Sequence, residues 1–298
     1  MKKNTTAQGY LLNTILLAAL LIGTQVLTTL FGASSSFKLV LAPCLWQCCY
    51  LIILAASLNL VLGFLGQLSL GHCGFMAIGA YTAALLSLAC ERAEVFTDND
   101  QPVFLVVLFA CILAGGLLSA LVGLLVGIPA LRLKGDYLAI ITLGFGMIIV
   151  NIINNLPFCG QDGLSLGSAS ASLYKNGLGF GTKAKVTFLW VAILVAIVCM
   201  TQMFLFIRSK YGRAIMAIRD NRIAAESVGI NVTKYKLIAF VTSAALAGAA
   251  GALYGLNFSS LQATKFNFNT SILILVFVVL GGLGNMLGSI IAAAALTI

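Results

Sequence analysis

The sequence predicts an all-α integral membrane protein: a polytopic bundle of about eight to ten transmembrane helices, with Gly-interrupted segments and a short helix in a cytoplasmic loop. Three observations carry this expectation. Of 298 residues, 61% are hydrophobic and 8% are charged, whereas a soluble domain carries about 25% charged residues. Such a chain has too little polar surface to face water, but an apolar surface is what a bilayer requires. Apolar runs recur at the ~20-residue length that crosses ~30 Å of hydrocarbon. Basic residues are divided unequally between alternate loops, as in proteins oriented by a cytoplasmic excess of Lys and Arg.

The runs fall at 10–31, 39–62, 69–89, 103–129, 137–155, 186–207, 237–256 and 270–280, and a further one opens near Gly284. Glycines interrupt the last two. Lys2 and Lys3 precede the first run, as in a signal peptide. The stretch Tyr10–Phe31 is, however, longer than the ~7–15 residues of a secretory apolar region. It reads as an uncleaved first helix, although Gly32-Ala33-Ser34 also has the small side chains of a cleavage site. The last run breaks off at Leu296-Thr297-Ile298 with neither cap nor charge, which implies a further C-terminal segment. Residues 1–298 otherwise read as one transmembrane domain.

With the N-terminus cytoplasmic, the inner segments are 1–9, 63–68, 130–136, 208–236 and 281–283. They hold eleven of the 17 Lys and Arg residues, and the outer segments hold six. Four acids, Glu91, Glu94, Asp98 and Asp100, gather in one outer loop. The bias favours this orientation and accounts for the net charge of +9 without a nucleic-acid partner. Two loops exceed the ~12–15 residues of an ordinary connector: an outer one at 156–185, rich in Gly and Ser, and an inner one at 208–236, the most charged stretch of the chain.

Cysteine usage points to packing. Cys44, Cys48, Cys49, Cys73, Cys111 and Cys199 sit inside apolar runs, where free Cys behaves as a small hydrophobe. Only Cys90 and Cys159 lie near outer ends, where a bridge between them stays open. Catalytic constellations are missing from the sequence. It has no Walker A motif, a single His, and no acidic pair inside a span, which disfavours a carboxylate proton relay. A metal site and a resident cofactor are not expected.

Polar residues at the breaks are the candidates for a transport pathway. The stretch Gly63–Phe75 carries Gln67, Ser69 and His72 among glycines at 63, 66, 71 and 74. Glycine weakens a helix by ~1 kcal/mol against Ala, and broken helices at membrane depth line cavities in transporters. Close packing of two helices explains the same glycines equally well. For His72, a hydrogen bond to a neighbouring helix is the plainer expectation. Leu283-Gly284-Asn285, followed by Gly288, echoes Leu65-Gly66-Gln67, followed by Gly71, but the match is short and its spacing differs by one residue, so coincidence explains it better. Asn151, Asn154 and Asn155 precede the outer element Pro157–Leu164. They suit either a zwitterionic ligand or capping at the interface, and for Asn155 capping is expected. Pathway candidates are therefore Gln67, Ser69, His72, Asn151 and Asn285.

The inner loop predicts one short two-faced helix over about Gly212–Val228. Arg219, Arg222 and Glu226 fall on one face, and Ala214, Ile218, Ala225 and Val228 on another. Arg222 and Glu226 can pair at i, i+4, and Gly229 stands where a helix C-terminus favours glycine. Such a helix lies on lipid or docks into a groove of a soluble partner. Asp220, Glu226 and the lack of Trp, Phe or Leu on the apolar face favour the partner.

Three blocks in consistent order, within roughly residues 50–290, resemble a known family. They are Ala56-Ser57-Leu58-Asn59 through Gly79-Ala80-Tyr81, Leu131–Ile140 with Thr142-Leu143-Gly144-Phe145-Gly146, and Tyr211-Gly212-Arg213 through Gly229-Ile230. They are similar to LivM-type permeases of the LivH/LivM family, the branched-chain amino acid ABC importer subunits. The resemblance implies a multi-pass protein of the bacterial inner membrane that forms half of a translocation pathway. It implies as partners a second related permease, two cytoplasmic ATPase subunits and an extracytoplasmic substrate-binding protein. Gly212, Arg219, Arg222, Ala224, Ala225, Glu226 and Gly229 would then belong to a coupling helix gripping the ATPase. Met147 and Val150 stand where the family pattern has Glu and Arg. Its Thr-Gly-Gly-x-x-Gly reads Phe158-Cys159-Gly160-Gln161-Asp162-Gly163 here. These departures leave urea or short amides open as substrates. Hydropathy alone is also met by a self-contained secondary transporter.

Overall fold

In the computed structural model, residues 35–92, 101–131, 136–156, 163–165, 183–258 and 260–297 are described, and they form ten helices. Helix α1 (Ser35–Asn59) runs on into a π-helical turn, Leu60–Phe64. Then come α2 (His72–Arg92), α3 (Gln101–Ala130), α4 (Asp136–Asn154) and α5 (Lys183–Arg208). Two short helices follow, α6 (Lys210–Asp220) and α7 (Arg222–Ser227). Last are α8 (Val232–Asn257), α9 (Phe268–Gly281) and α10 (Met286–Thr297). Among the described residues seven helices are long and apolar enough to cross a membrane, so the chain is an all-α polytopic membrane protein. The expected run at 10–31, the outer element at 157–162 and Cys159 lie outside the described residues.

Helix α1 is central, packed by α5, α8, α9 and α10. Its span is the most deeply buried among the described residues, whereas α4 and the α9 region lie at the edge and are mostly exposed. Ile53, Leu54, Ala55 and Leu58 are fully enclosed. Cys48, Cys49, Cys73, Cys111 and Cys199 are likewise buried, as expected of packing residues. Leu113, Leu117, Leu121 and Leu125 recur every four residues along α3 and stand exposed, the stripe a lipid face needs.

Lipid supplies no hydrophobic drive between helices, so close backbone approach and interhelical hydrogen bonds must hold them. Helices α2, α3 and α8 do both. A Cβ on Gly79 of α2 would collide with the Gly248 carbonyl of α8. Ser119 Oγ of α3 donates to the Ala244 carbonyl of α8 at 2.7 Å.

The two ends of the bundle differ. At one, strand β1 (Leu164–Ser165) pairs antiparallel with β2 (Ser260–Leu261), and Tyr81 Oη donates to the Leu261 carbonyl at 2.9 Å. Helices α6 and α7 lie at the other, about 39 Å away along the 26 residues of α8. The segments expected inside, 63–68, 208–236 and 281–283, gather around that second end.

Candidate functional site

The span that begins with α1 is broken, one of the two readings of its glycines, and the other holds as well, since Gly71 and Gly74 pack closely against Thr142 and Gly146. After Asn59 the helix loosens into π geometry, with Leu65 N–H donating to the Leu60 carbonyl at 3.2 Å and Gln67 N–H to that of Val61 at 3.1 Å. Gly66 takes φ +71°, which only a residue without Cβ adopts freely. Residues 66–71 are then non-helical until α2 starts at His72. His72 sits beside Ser57, which lies seven residues, or roughly 10 Å, back from the end of the π turn. The chain therefore doubles back into the bundle as non-helical backbone. At membrane depth this is tolerated where the segment is enclosed by protein or lines a wet cavity.

His72 is 1% exposed. Its Nε2 lies 3.0 Å from Ser57 Oγ and 3.2 Å from Ser243 Oγ. Ser57 spends its hydroxyl proton on the Leu54 carbonyl at 2.8 Å, and Ser243 spends its own on the Ser57 carbonyl at 2.6 Å. With the hydroxyl protons so placed, both oxygens accept from the ring, and the tautomer assigned to the neutral imidazole carries its proton on Nε2. His72 thus ties α2 to α1 and α8, the neighbouring-helix bond expected of it. Nδ1 is left as a bare acceptor. It has no partner among the described residues, and neither do Gln67 Oε1 and Ser69 Oγ, both also buried. Three unpaired polar atoms fall within one six-residue stretch, which is unusual where buried polar groups are normally satisfied.

The second glycine break, Gly282–Asn285 between α9 and α10, packs against the first. Gly282 and Gly284 take positive φ. Asn59, fully buried, clamps this turn. Its Oδ1 accepts from Gly284 N–H at 3.0 Å, and its Nδ2 donates to the Asn285 carbonyl at 3.1 Å and to Ser289 Oγ at 2.8 Å. The two sequence echoes are spatial neighbours. Asn285 itself is exposed and caps α10, with Gly288 N–H donating to its Oδ1 at 3.3 Å.

The inner helices touch both breaks. Arg219 Nη1 donates to the Gly63 carbonyl at 2.9 Å, while Nε and Nη2 are held by Asp220 Oδ1 at 3.1 Å. The same guanidinium reaches Gly284, since a Cβ there would lie 3.4 Å from Nη1.

The predicted single helix is instead two, and this corrects its face assignment. Asn221 is extended, at φ −153° and ψ 106°, and its side chain accepts from Ala224 N–H to start α7 afresh. The rotational register of α6 is lost there. Ile218 and Ala225 are buried together with Val232 inside the chain, so Ala225 does not form an outer docking ridge. Ile223 and Val228 are the exposed apolar pair, at 80% and 81%. The Arg222–Glu226 pair forms as expected at 2.9 Å. Gly229 takes φ +86° just past α7, Ala224 is exposed, and Gly212 is buried against the Ile207 carbonyl.

At the opposite end, Asn151 is exposed on α4, and Asn155 Nδ2 donates to its carbonyl at 2.8 Å, closing the helix as expected of Asn155. Ser57, Asn59 and Ser243 were not singled out by sequence reasoning. The available signal was their polarity inside otherwise apolar runs.

A family model described as the permease component of branched-chain amino acid transport systems matches residues 40–298. Among curated proteins, the chain is 36% identical over 267 residues to the high-affinity branched-chain amino acid transport system permease protein LivM of Salmonella typhimurium, and equally to that of Escherichia coli. Each match covers 83% of this chain and 60% of the relative, so the chain spans about 60% of the length of these relatives. A probable LivM of Methanocaldococcus jannaschii is 24% identical, over 85% of this chain and 78% of the relative. No solved structure matches.

Proposed function

Since this chain belongs to the family of permease components of branched-chain amino acid transport systems, we propose that it forms half of the transmembrane pathway of an ATP-driven importer for branched-chain amino acids. It sits in the bacterial inner membrane beside a second, related permease. Two ATPase subunits bind its cytoplasmic side, and a binding protein delivers substrate from outside. The N-terminus and the α6–α7 loop are cytoplasmic, in keeping with the Lys and Arg bias.

The observation that carries this reading is the meeting of Arg219 with the broken span at Gly63. A permease that lacks a nucleotide site must receive its conformational bias through contact, and the α6–α7 loop links an exposed surface to the two breaks. Exposed Ile223 and Val228, flanked by Arg222 and Glu226, supply an apolar knob with charges to orient it against the ATPase. Of the candidate coupling residues, Gly212, Ala225 and Gly229 shape the loop, and Arg222, Ala224 and Glu226 face outward with that knob. The segment from Gln67 to His72 borders the pathway, and its unpaired acceptors suit a substrate rich in N–H donors. Asn151 and Asn285 stand nearer the two mouths.

Uptake by a host deprived of its own branched-chain amino acid importers tests the reading. With this chain and its partner subunits expressed, radiolabelled leucine, isoleucine or valine accumulates and excess urea or acetamide does not compete. Competition by the amides would transfer the assignment to that substrate class. Uptake by this chain without an ATPase would identify a secondary transporter.

A further inference from the structure

A contact made by Asn59 and one made by Arg219 share the short stretch where α1 runs into the π turn. Asn59 and Gly63 are four residues apart, so they lie one above the other on the same side of the helix. Through Gly63 the stretch is held by Arg219 of α6, and through Asn59 it holds the α9–α10 turn and Ser289 of α10. The π turn between them leaves the Gly63 carbonyl free for a side chain from outside the helix, and π turns recur at functional positions. Asp220 fixes the Arg219 fork so that Nη1 points at Gly63.

We propose that Asn59 is a positioning residue for transport, the link through which displacement of the α6–α7 loop at Arg219 is passed by way of Gly63 to α10. This rests on the reading of the chain as an ATP-driven permease and goes beyond it by naming the path. Asn59 is fully buried, and its side chain spends its bonds on Gly284, Asn285 and Ser289. It makes the two glycine breaks move as one body, because its side chain satisfies a donor and an acceptor of the second break from within the first. Without Asn59, only the close approach of Gly284 to Gly63 and to Arg219 Nη1 would tie the second break to the first, with no side-chain bond to carry motion of Arg219 into α10.

The test uses the full transporter complex in vesicles and reads ATP hydrolysed per substrate moved. Asn59→Ala and Arg219→Ala each raise that ratio at least tenfold while the ATPase still co-purifies. The double variant is no worse than either single one, as expected of two steps in one path. Ser289→Ala, which removes one of the bonds of Asn59, raises the ratio in the same direction by less and keeps the assay informative if Asn59→Ala fails to insert. An unchanged ratio in Arg219→Ala and Ser289→Ala, additive losses in the double variant, or release of the ATPase by Arg219→Ala would overturn the relay. A wild-type complex with no ATP-dependent uptake would instead remove the functional reading on which it rests.

Discussion

Arg219 Nη1 and the carbonyl oxygen of Gly63, 156 residues apart in the chain, lie 2.9 Å from each other. The bond is charge-assisted and joins a short helix at the surface to the loosened end of the most enclosed span. Arg219 also pairs with Asp220, but both side chains are well exposed, so that pair orients the guanidinium more than it stabilises the fold.

Ile223→Asp and Val228→Asp, separately or together, should leave the protein inserted and release the ATPase. Burying a Val or Ile side chain is worth about 1.5–3 kcal/mol, and about 1.4 kcal/mol is tenfold in affinity. Co-purification of the ATPase from membranes should therefore fall more than tenfold. Ala225→Trp acts differently. It overfills the small cluster of Ile218, Ala225 and Val232 and should lower the thermal midpoint as well.

His72 should be neutral with its proton on Nε2. The imidazole nitrogen shifts of the ¹⁵N-labelled protein read this directly, and an Nδ1–H tautomer would contradict the Ser57–Ser243 network. His72→Ala leaves two buried hydroxyls without their donor, at a cost of about 1–3 kcal/mol. Its thermal midpoint in detergent should fall by several degrees.

Gly71→Leu should abolish uptake and destabilise the protein by about 1–3 kcal/mol. A Cβ at this position meets the carbonyl of Thr142, whose hydroxyl accepts from Leu70 N–H at 3.2 Å. Wild-type uptake with an unchanged midpoint would mean that α2 and α4 do not approach as described.

Orientation is checked by cysteine labelling from each side of the membrane. Gln262→Cys, exposed beside β2, should react with an impermeant thiol reagent only from outside, and Ser227→Cys in α7 only from the cytoplasm. The reverse pattern would invert the topology and place the docking knob on the wrong side.

The bundle was legible in the sequence wherever the signal was local. Spans show as apolar runs because lipid constrains every residue of a crossing helix. The break after Gly63 shows as glycine density, and the cap at Gly229 as a glycine at its place. The clamp made by Asn59 was not legible, since its partners are 225 to 230 residues away and nothing near Asn59 points to them. The faces of the inner loop were misread for a local reason. A helical wheel carried through Asn221 puts Val228 on the face of Ile218 and Ala225, but the extended backbone at Asn221 restarts the helix, so that Ile218 and Ala225 stay together inside while Val228 stands exposed with Ile223. His72 was legible as a bonded residue, whereas its two partners came from helices that no pattern paired with it.

The central claim is that this chain is a permease driven through its cytoplasmic loop by ATP hydrolysed on partner subunits. Leucine uptake into vesicles containing the reconstituted complex, with the binding protein outside and ATP either enclosed or omitted, measures it most directly. The account predicts accumulation that requires enclosed ATP and is lost when Ile223 and Val228 are changed to Asp. Equal uptake with and without ATP, or full ATP-driven uptake by the Asp variant, would contradict it.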